Sequence, residues 1–205
     1  RILLLDEPLA ALDLEHKREI LDFLKKLPRD YGIPILYVTH SLGELIQLAD
    51  EVVLLQLGRI RAQGKLQQVW PLIQNETLAG SVVDAVVAAQ DPEYHLTRLS
   101  FKSHSLWVPL RDVPVGTQLR VFIPAADVAI GLSAPTDRYS VLNVLPATVL
   151  SVGESGSAHS VAVELDIGCV LRAHVTKKSQ ATLALCPGLK VHAYIKAVSL
   201  VDSLD

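Results

Sequence analysis

The 205-residue sequence has no methionine and only two cysteines, Cys169 and Cys186. They lack CxxC spacing and have no histidine cluster beside them, so neither a zinc site nor a redox pair is expected. Two small core thiols in a reducing compartment fit better. Long apolar runs are also missing. A membrane helix needs roughly 18 to 20 such residues, and the longest candidates, Val82–Ala89 and Val121–Leu132, are too short or interrupted by Asp127. There is no signal-peptide pattern. Positive charge is scarce: 19 Lys and Arg against 22 Asp and Glu give a net charge of -3, with no basic run beyond Lys177-Lys178. That excludes the electrostatic footprint of a nucleic-acid binder. No two of the 11 glycines are adjacent, and no G-x-x-x-x-G-K-[ST] phosphate loop is present.

What is there is a packed protein, half hydrophobic and 20% charged. It starts inside an apolar run, Arg1-Ile2-Leu3-Leu4-Leu5, without a methionine, and on that basis reads as an internal fragment of a longer chain. Residues 1 to about 70 alternate strand and helix patterns. The runs at 2–5 and 33–38 read as strands buried on both faces. Between them Asp13 stands as an N-cap, acidic residues follow it, and Lys25, Lys26 and Arg29 come late. Ile20, Leu24 and Leu27 recur at helical spacing, predicting a helix over 14–28 ended by Gly32. A helix over 41–48, a strand over 52–56 and a returning strand over 60–62 complete a parallel α/β pattern.

Residues 71–80 read as a polar linker, and beyond them the period becomes that of strands. Strands are predicted over 82–89, 95–101, 105–109, 118–123 and 127–132. After a break at 133–138 come strands at 145–152, 160–166, 170–176 and 190–200, with one short helix over 177–184. Gly153–Gly156 and Asp166–Gly168 read as hairpin turns. Short strands at even spacing suggest small barrels. No internal repeat is evident.

Chemistry concentrates where the first strand ends, in Asp6-Glu7. In an open α/β sheet, ligands bind beyond the carboxyl ends of the strands. There Asp6 could hold Mg²⁺, and Glu7 could polarise a water for attack on a γ-phosphate. The next strand ends in Tyr37-Val38-Thr39-His40, which brings an imidazole to the same edge. Either feature alone is commonplace as a strand end or a cap. Both together, each after an apolar strand and with a capped helix between, are far more specific.

Leu3-Leu4-Leu5-Asp6-Glu7-Pro8 resembles the Walker B motif of ABC-transporter ATPases. Ala10-Ala11-Leu12-Asp13 resembles their D-loop, Val38-Thr39-His40 their H-loop, and residues 50–60 the strand and turn that follow. The resemblance covers residues 1–70 and implies Asp6 as magnesium carboxylate, Glu7 as catalytic base, His40 as γ-phosphate switch and Asp13 as a contact across a homodimer, with ATP and Mg²⁺ as ligands. The family's Walker A, glutamine loop and signature motif precede Walker B and are absent from this sequence, so the chain alone is expected to be inactive.

The tail sharpens the resemblance. Residues 118–130 resemble the accessory β-domain of importer ATPases. Residues 140–145, 175–179 and 194–199 resemble a Mop-type, or TOBE, domain. The division implied is 1–70 ATPase part, 71–80 linker, 81–137 accessory β segment and 138–205 oxyanion-binding domain, an OB-like small barrel. Ser140, Thr176, Lys177, Ser179 and Lys196 are donors suited to a tetrahedral dianion. Leu142 stands where many relatives have an arginine, which removes a bidentate contact. The function implied is the ATP-hydrolysing subunit of an importer for molybdate or tungstate, peripheral at the cytoplasmic face of the cell membrane. Its partners would be permease subunits and, indirectly, a solute-binding protein, with no nucleic acid. The alternatives are an importer for iron, sulfate or sugar, and a non-enzymatic oxyanion-binding storage or regulatory protein.

Overall fold

The computed structural model describes residues 1–73, 79–134, 139–154 and 158–197. The chain divides into two compact units, residues 1–66 and 67–201.

In the first unit, β1 (Leu3–Asp6) pairs in parallel with β2 (Ile35–Val38), matching Leu3 to Ile35 and Asp6 to Val38. The connection is α1 (Leu14–Tyr31). Asp13 caps it by accepting the His16 N–H at 3.1 Å, and Gly32 ends it at φ 63°. Of the predicted stripe, Leu24 is buried and Leu27 half-buried, but Ile20 is exposed and its neighbour Leu21 takes its place in the core. Full burial of the first two strands is also corrected. Leu4 is 65% exposed and Leu36 57%, because the parallel pair has two strands only and alternate side chains face opposite ways. Ser41 caps α2 (Leu42–Leu48). The antiparallel pair β3 (Glu51–Gln56) and β4 (Arg59–Lys65) turns at Leu57 and Gly58, both with positive φ, as tight hairpins require.

A helix, α3 (Leu66–Ile73), occupies the start of the expected linker, and residues 74–78 lie outside the described residues. Its apolar spacing is short and ends at Pro71-Leu72-Ile73, which hides it from a periodicity reading. Leu66, Val69 and Trp70 are buried. The Trp70 indole donates to the Gly80 carbonyl at 3.1 Å and meets Phe122 edge-on at 5.6 Å.

The second unit is built twice on one plan. Strands β5 (Gly80–Asp91), β6 (Leu96–Phe101), β7 (His104–Pro109) and β8 (Gln118–Pro124) form a sheet of order β7-β6-β5-β8. A 3₁₀ turn (Ala125–Asp127) leads to β9 (Val128–Gly131). Then β10 (Asn143–Glu154), β11 (Ser160–Asp166), β12 (Val170–Thr176) and β13 (Lys190–Ile195) repeat the order as β12-β11-β10-β13, and β9 adds itself beside β13. The expectation of no repeat is therefore corrected at the level of topology. The sequence conceals it because the second copy inserts α4 (Lys177–Thr182) where the first has a loop. The Asp166–Gly168 turn is present, with Asp166 accepting the Gly168 N–H at 2.8 Å. Residues 155–157 of the other predicted turn, and 198–200 of the last predicted strand, lie outside the described residues. Cys169 is half-buried, but Cys186 is exposed beside Pro187 and is no core thiol.

Three features bind the copies together. Strand β9 follows β8 yet pairs with β13, matching Val128 to Ile195 and Gly131 to His192. Buried Asn143 clamps edge strand β7, accepting from the Trp107 N–H at 2.6 Å and donating to its carbonyl at 2.9 Å. Ser81 reciprocates, its hydroxyl oxygen accepting the Arg172 N–H of β12 at 2.8 Å. Leu99, Leu106 and Ile123 from one copy and Leu165, Leu171 and Ile195 from the other share one core. Asn143→Ala leaves both Trp107 backbone groups unpaired, so it should cost about 2 kcal/mol, read as a lower urea midpoint by tryptophan fluorescence.

Candidate functional site

The parallel register decides what meets at the end of β1. Because Asp6 stands opposite Val38, the residues just beyond each strand become neighbours. Glu7 donates its N–H to the Val38 carbonyl at 2.9 Å and adopts φ 45°, a conformation uncommon for a side-chain-bearing residue. This turns its carboxylate to His40, with Glu7 Oε1 and His40 Nδ1 2.7 Å apart. His40 is 86% exposed, so the pair faces solvent. Asp6 is exposed, and its carboxylate has no hydrogen-bond partner among the described residues. It is therefore free to take a cation. No cluster of three or more potential metal ligands exists among the described residues.

Asp13 is engaged as a cap. It also meets the His16 imidazole at 2.8 Å, and the His16 N–H bond, then the imidazole, holds its carboxyl below the usual range.

Below this edge lies a group missed in the sequence reading. Glu44 of α2 is 5% exposed. Its Oε2 accepts the Tyr37 hydroxyl at 2.9 Å and the Thr39 hydroxyl at 2.7 Å, while Lys17 stands 3.9 Å from Oε1. Both hydroxyls belong to the segment that delivers His40, so Glu44 anchors the loop. Burial first, then Glu44 and more weakly Glu7, push the Tyr37 hydroxyl above its usual range. The signal available was Ser41-x-x-Glu44, a capping-box pattern, although here the buried carboxylate serves the neighbouring strand end.

The five tail residues do not gather in one place along the ladder. Ser140 and Lys196 lie just past the end where Asn143 matches Ile195. Thr176, Lys177 and Ser179 lie at the other end of the sheet, where Thr176 matches Ser160 and Glu154 matches Val161. Thr176 caps α4, accepting the Ser179 N–H at 3.0 Å, with the two hydroxyl oxygens 2.9 Å apart. Lys177 and Lys196 are exposed.

Residues 139–201 match the TOBE domain model. Over 98% of its length the chain is 42% identical to the molybdenum import ATP-binding protein ModC of Rhodospirillum rubrum, and 44% identical to ModC 1 of Azotobacter vinelandii. The chain is a relative of ABC-importer ATP-binding subunits, with a TOBE domain at its end. It is also 40% identical, over 97% of its length, to ModC of Escherichia coli. It spans 57% of the length of each of these three relatives. Among solved structures, the cytoplasmic molybdate-binding protein ModG matches 59% of this chain and 93% of its own with a TM-score of 0.53 at 21% identity, a likeness of fold. Both the α/β start and the OB-like β-rich tail expected from the sequence are thus present. No described helix is long and apolar enough to cross a membrane.

Glu44→Ala strands two hydroxyls, so it should destabilise residues 1–66 by about 1–3 kcal/mol, visible as faster amide exchange in β2. Tyr37 also carries a pH signature. Its raised value means that its contribution to stability is complete below the unfolded tyrosine value of about 10 and is lost as pH rises further. Tyr37→Phe should flatten that alkaline loss in urea titrations.

Proposed function

We propose that the chain belongs to the ATP-hydrolysing subunit of an ABC importer for molybdate or tungstate, working as a homodimer beneath membrane permease subunits at the cytoplasmic face. The division at 70, 80 and 137 is part of this reading: an ATPase part, a linker, an accessory β segment and an oxyanion-binding domain. The observation that carries it is the Glu7–His40 pair at the carboxyl end of a parallel strand pair, with an unpartnered Asp6 beside it.

In this reading ATP and Mg²⁺ are the ligands of the edge. Asp6 supplies the magnesium carboxylate. Glu7 accepts the proton of the attacking water, and His40, held by the loop that Glu44 anchors, supplies a donor for the γ-phosphate. Asp13 lies toward the second copy. The phosphate loop, glutamine loop and signature motif come from the part of the relatives' length that this chain does not span. The exposed apolar residues Leu4, Leu36 and Val38 are then the faces on which the rest of the ATPase domain packs.

The two ends of the tail sheet suit an oxyanion site shared between copies, with Ser140 and Lys196 from one chain and Thr176, Lys177 and Ser179 from the other. A dianion so held depends on charged donors more than on hydroxyls.

In a protein extended to the full length of its relatives, Glu7→Gln should cut turnover by about 10² to 10⁴ while nucleotide binding persists. Asp6→Asn should instead weaken magnesium-dependent binding. Turnover at the parental rate in the Glu7 variant would remove the base assignment. For the tail, calorimetry with molybdate should show weaker binding in Lys177→Ala and tighter binding in Leu142→Arg. Absence of heat in the parent and in the arginine variant would leave the tail without an oxyanion role.

A further inference from the structure

The duplicated tail carries its own internal control, and the two copies differ in charge at matching positions. Cross-strand partners in a sheet share a face. In the second copy Thr148 is matched to Asp166 on one side and to Lys190 on the other, and two residues along, Pro146 is matched to His192. These side chains therefore occupy adjacent rows of one face. The matching rows in the first copy are Ser100–Val86–Gln118 and Asp84–Arg120. There the cation is neutralised: Arg120 Nε donates to Asp84 Oδ1 at 2.9 Å, and the Gln67 amide donates to the other oxygen. In the second copy proline replaces the aspartate, and His192 has no carboxylate opposite it.

The hairpin of the first copy reaches over part of this face, while Pro146, Asp166 and Lys190 stay exposed. His104 and Lys102 come from the β6–β7 hairpin of the first copy, and a Cβ added at Gly168 would lie 3.4 Å from Lys102 Cγ. His104, Thr148, Asp166, Gly168, Lys190 and His192 line a cavity of about 390 Å³, within the range of small-ligand sites. Lys190, His104 and Thr148 have no hydrogen-bond or ion-pair partner among the described residues, and the buried Nδ1 of His192 has none either. Buried polar atoms in proteins are almost always paired, and the His192 Nδ1 is the one buried atom of this set; Lys190, Thr148 and His104 are at least partly exposed and open to an acceptor arriving from solvent.

We propose that the cavity binds hydrogen phosphate, a tetrahedral oxyanion that keeps one proton. Lys190, Thr148 and the imidazoles of His104 and His192 supply donors. Asp166 decides the class. One of its oxygens accepts from Gly168, and the other is left to accept from an O–H on the ligand. Sulfate and molybdate dianions carry no proton and would meet that carboxylate lone pair to lone pair. A phosphate monoester loses its last proton near pH 6, so at neutral pH free phosphate is favoured over a monoester. None of these residues belongs to the molybdate set proposed above, so the site stands independently of that reading.

The test is calorimetry on the whole 205-residue chain at constant ionic strength and slightly alkaline pH, titrating phosphate, sulfate and glycerol phosphate. Saturable phosphate binding is expected, with the other two at least about tenfold weaker, as for loss of one bond to a charged group. Lys190→Ala should weaken phosphate by about tenfold or more. Asp166→Asn keeps an oxygen for the Gly168 N–H and should tighten sulfate, narrowing the discrimination. Both changes lie on an exposed face, and circular dichroism would verify folding. No saturable phosphate binding, or equal affinity for sulfate that Asp166→Asn leaves unchanged, would overturn the proposal. Glycerol phosphate binding as tightly as phosphate would overturn the proton-based selection.

Discussion

Strand β9 belongs by chain order to one sheet and by hydrogen bonding to the other, and the organisation of the tail follows from that exchange. Each copy alone is a four-stranded sheet with one apolar face, too small to enclose a core. By pairing with β13, β9 closes the second sheet and ties the end of the first copy to the end of the second. Asn143 and Ser81 then answer the edge problem that four-stranded sheets leave behind. Each reaches across to backbone groups of the other copy's third strand, which ladder bonding on that side does not satisfy.

The same economy of strands explains the first unit. Two parallel strands suffice to bring Glu7 against His40, because register alone makes their ends neighbours. They do not by themselves cover the outer apolar side chains, so Leu4, Leu36 and Val38 are exposed within this chain. The site is nevertheless held from beneath. Glu44 is buried with two hydroxyl donors and a nearby lysine, the condition under which a charge can be kept out of water. Its partners are the residues one and three places before His40, so the loop's position depends on a carboxylate outside the chemistry.

Duplication lets one fold carry two electrostatic solutions. Arg120 is answered by Asp84 within the first copy. At the matching place the second copy has His192 opposite Pro146, and the hairpin of the first copy brings His104 over it. Neither copy would form the cavity alone, since its floor is one sheet and its cover the hairpin of the other.

Much of this protein is local and therefore readable from residues alone. The Asp13 cap and Gly32 end of α1, the hairpin at Leu57-Gly58, the Asp166 turn and the period-two strands of the tail all rest on neighbours within a few positions. That Asp6, Glu7 and His40 fall at one sheet edge was readable because each stands at the end of an apolar strand. What the sequence could not determine depended on which strands pair. The repeat in topology was hidden because paired copies need share only an apolar alternation. The burial of Glu44 was hidden because the hydroxyls that offset its desolvation come from another element. The ends of the tail sheet to which Ser140 and Thr176 fall, and the meeting of His104 with Lys190 and His192, are set by register across strands far apart in the chain, and register is a property of the folded sheet.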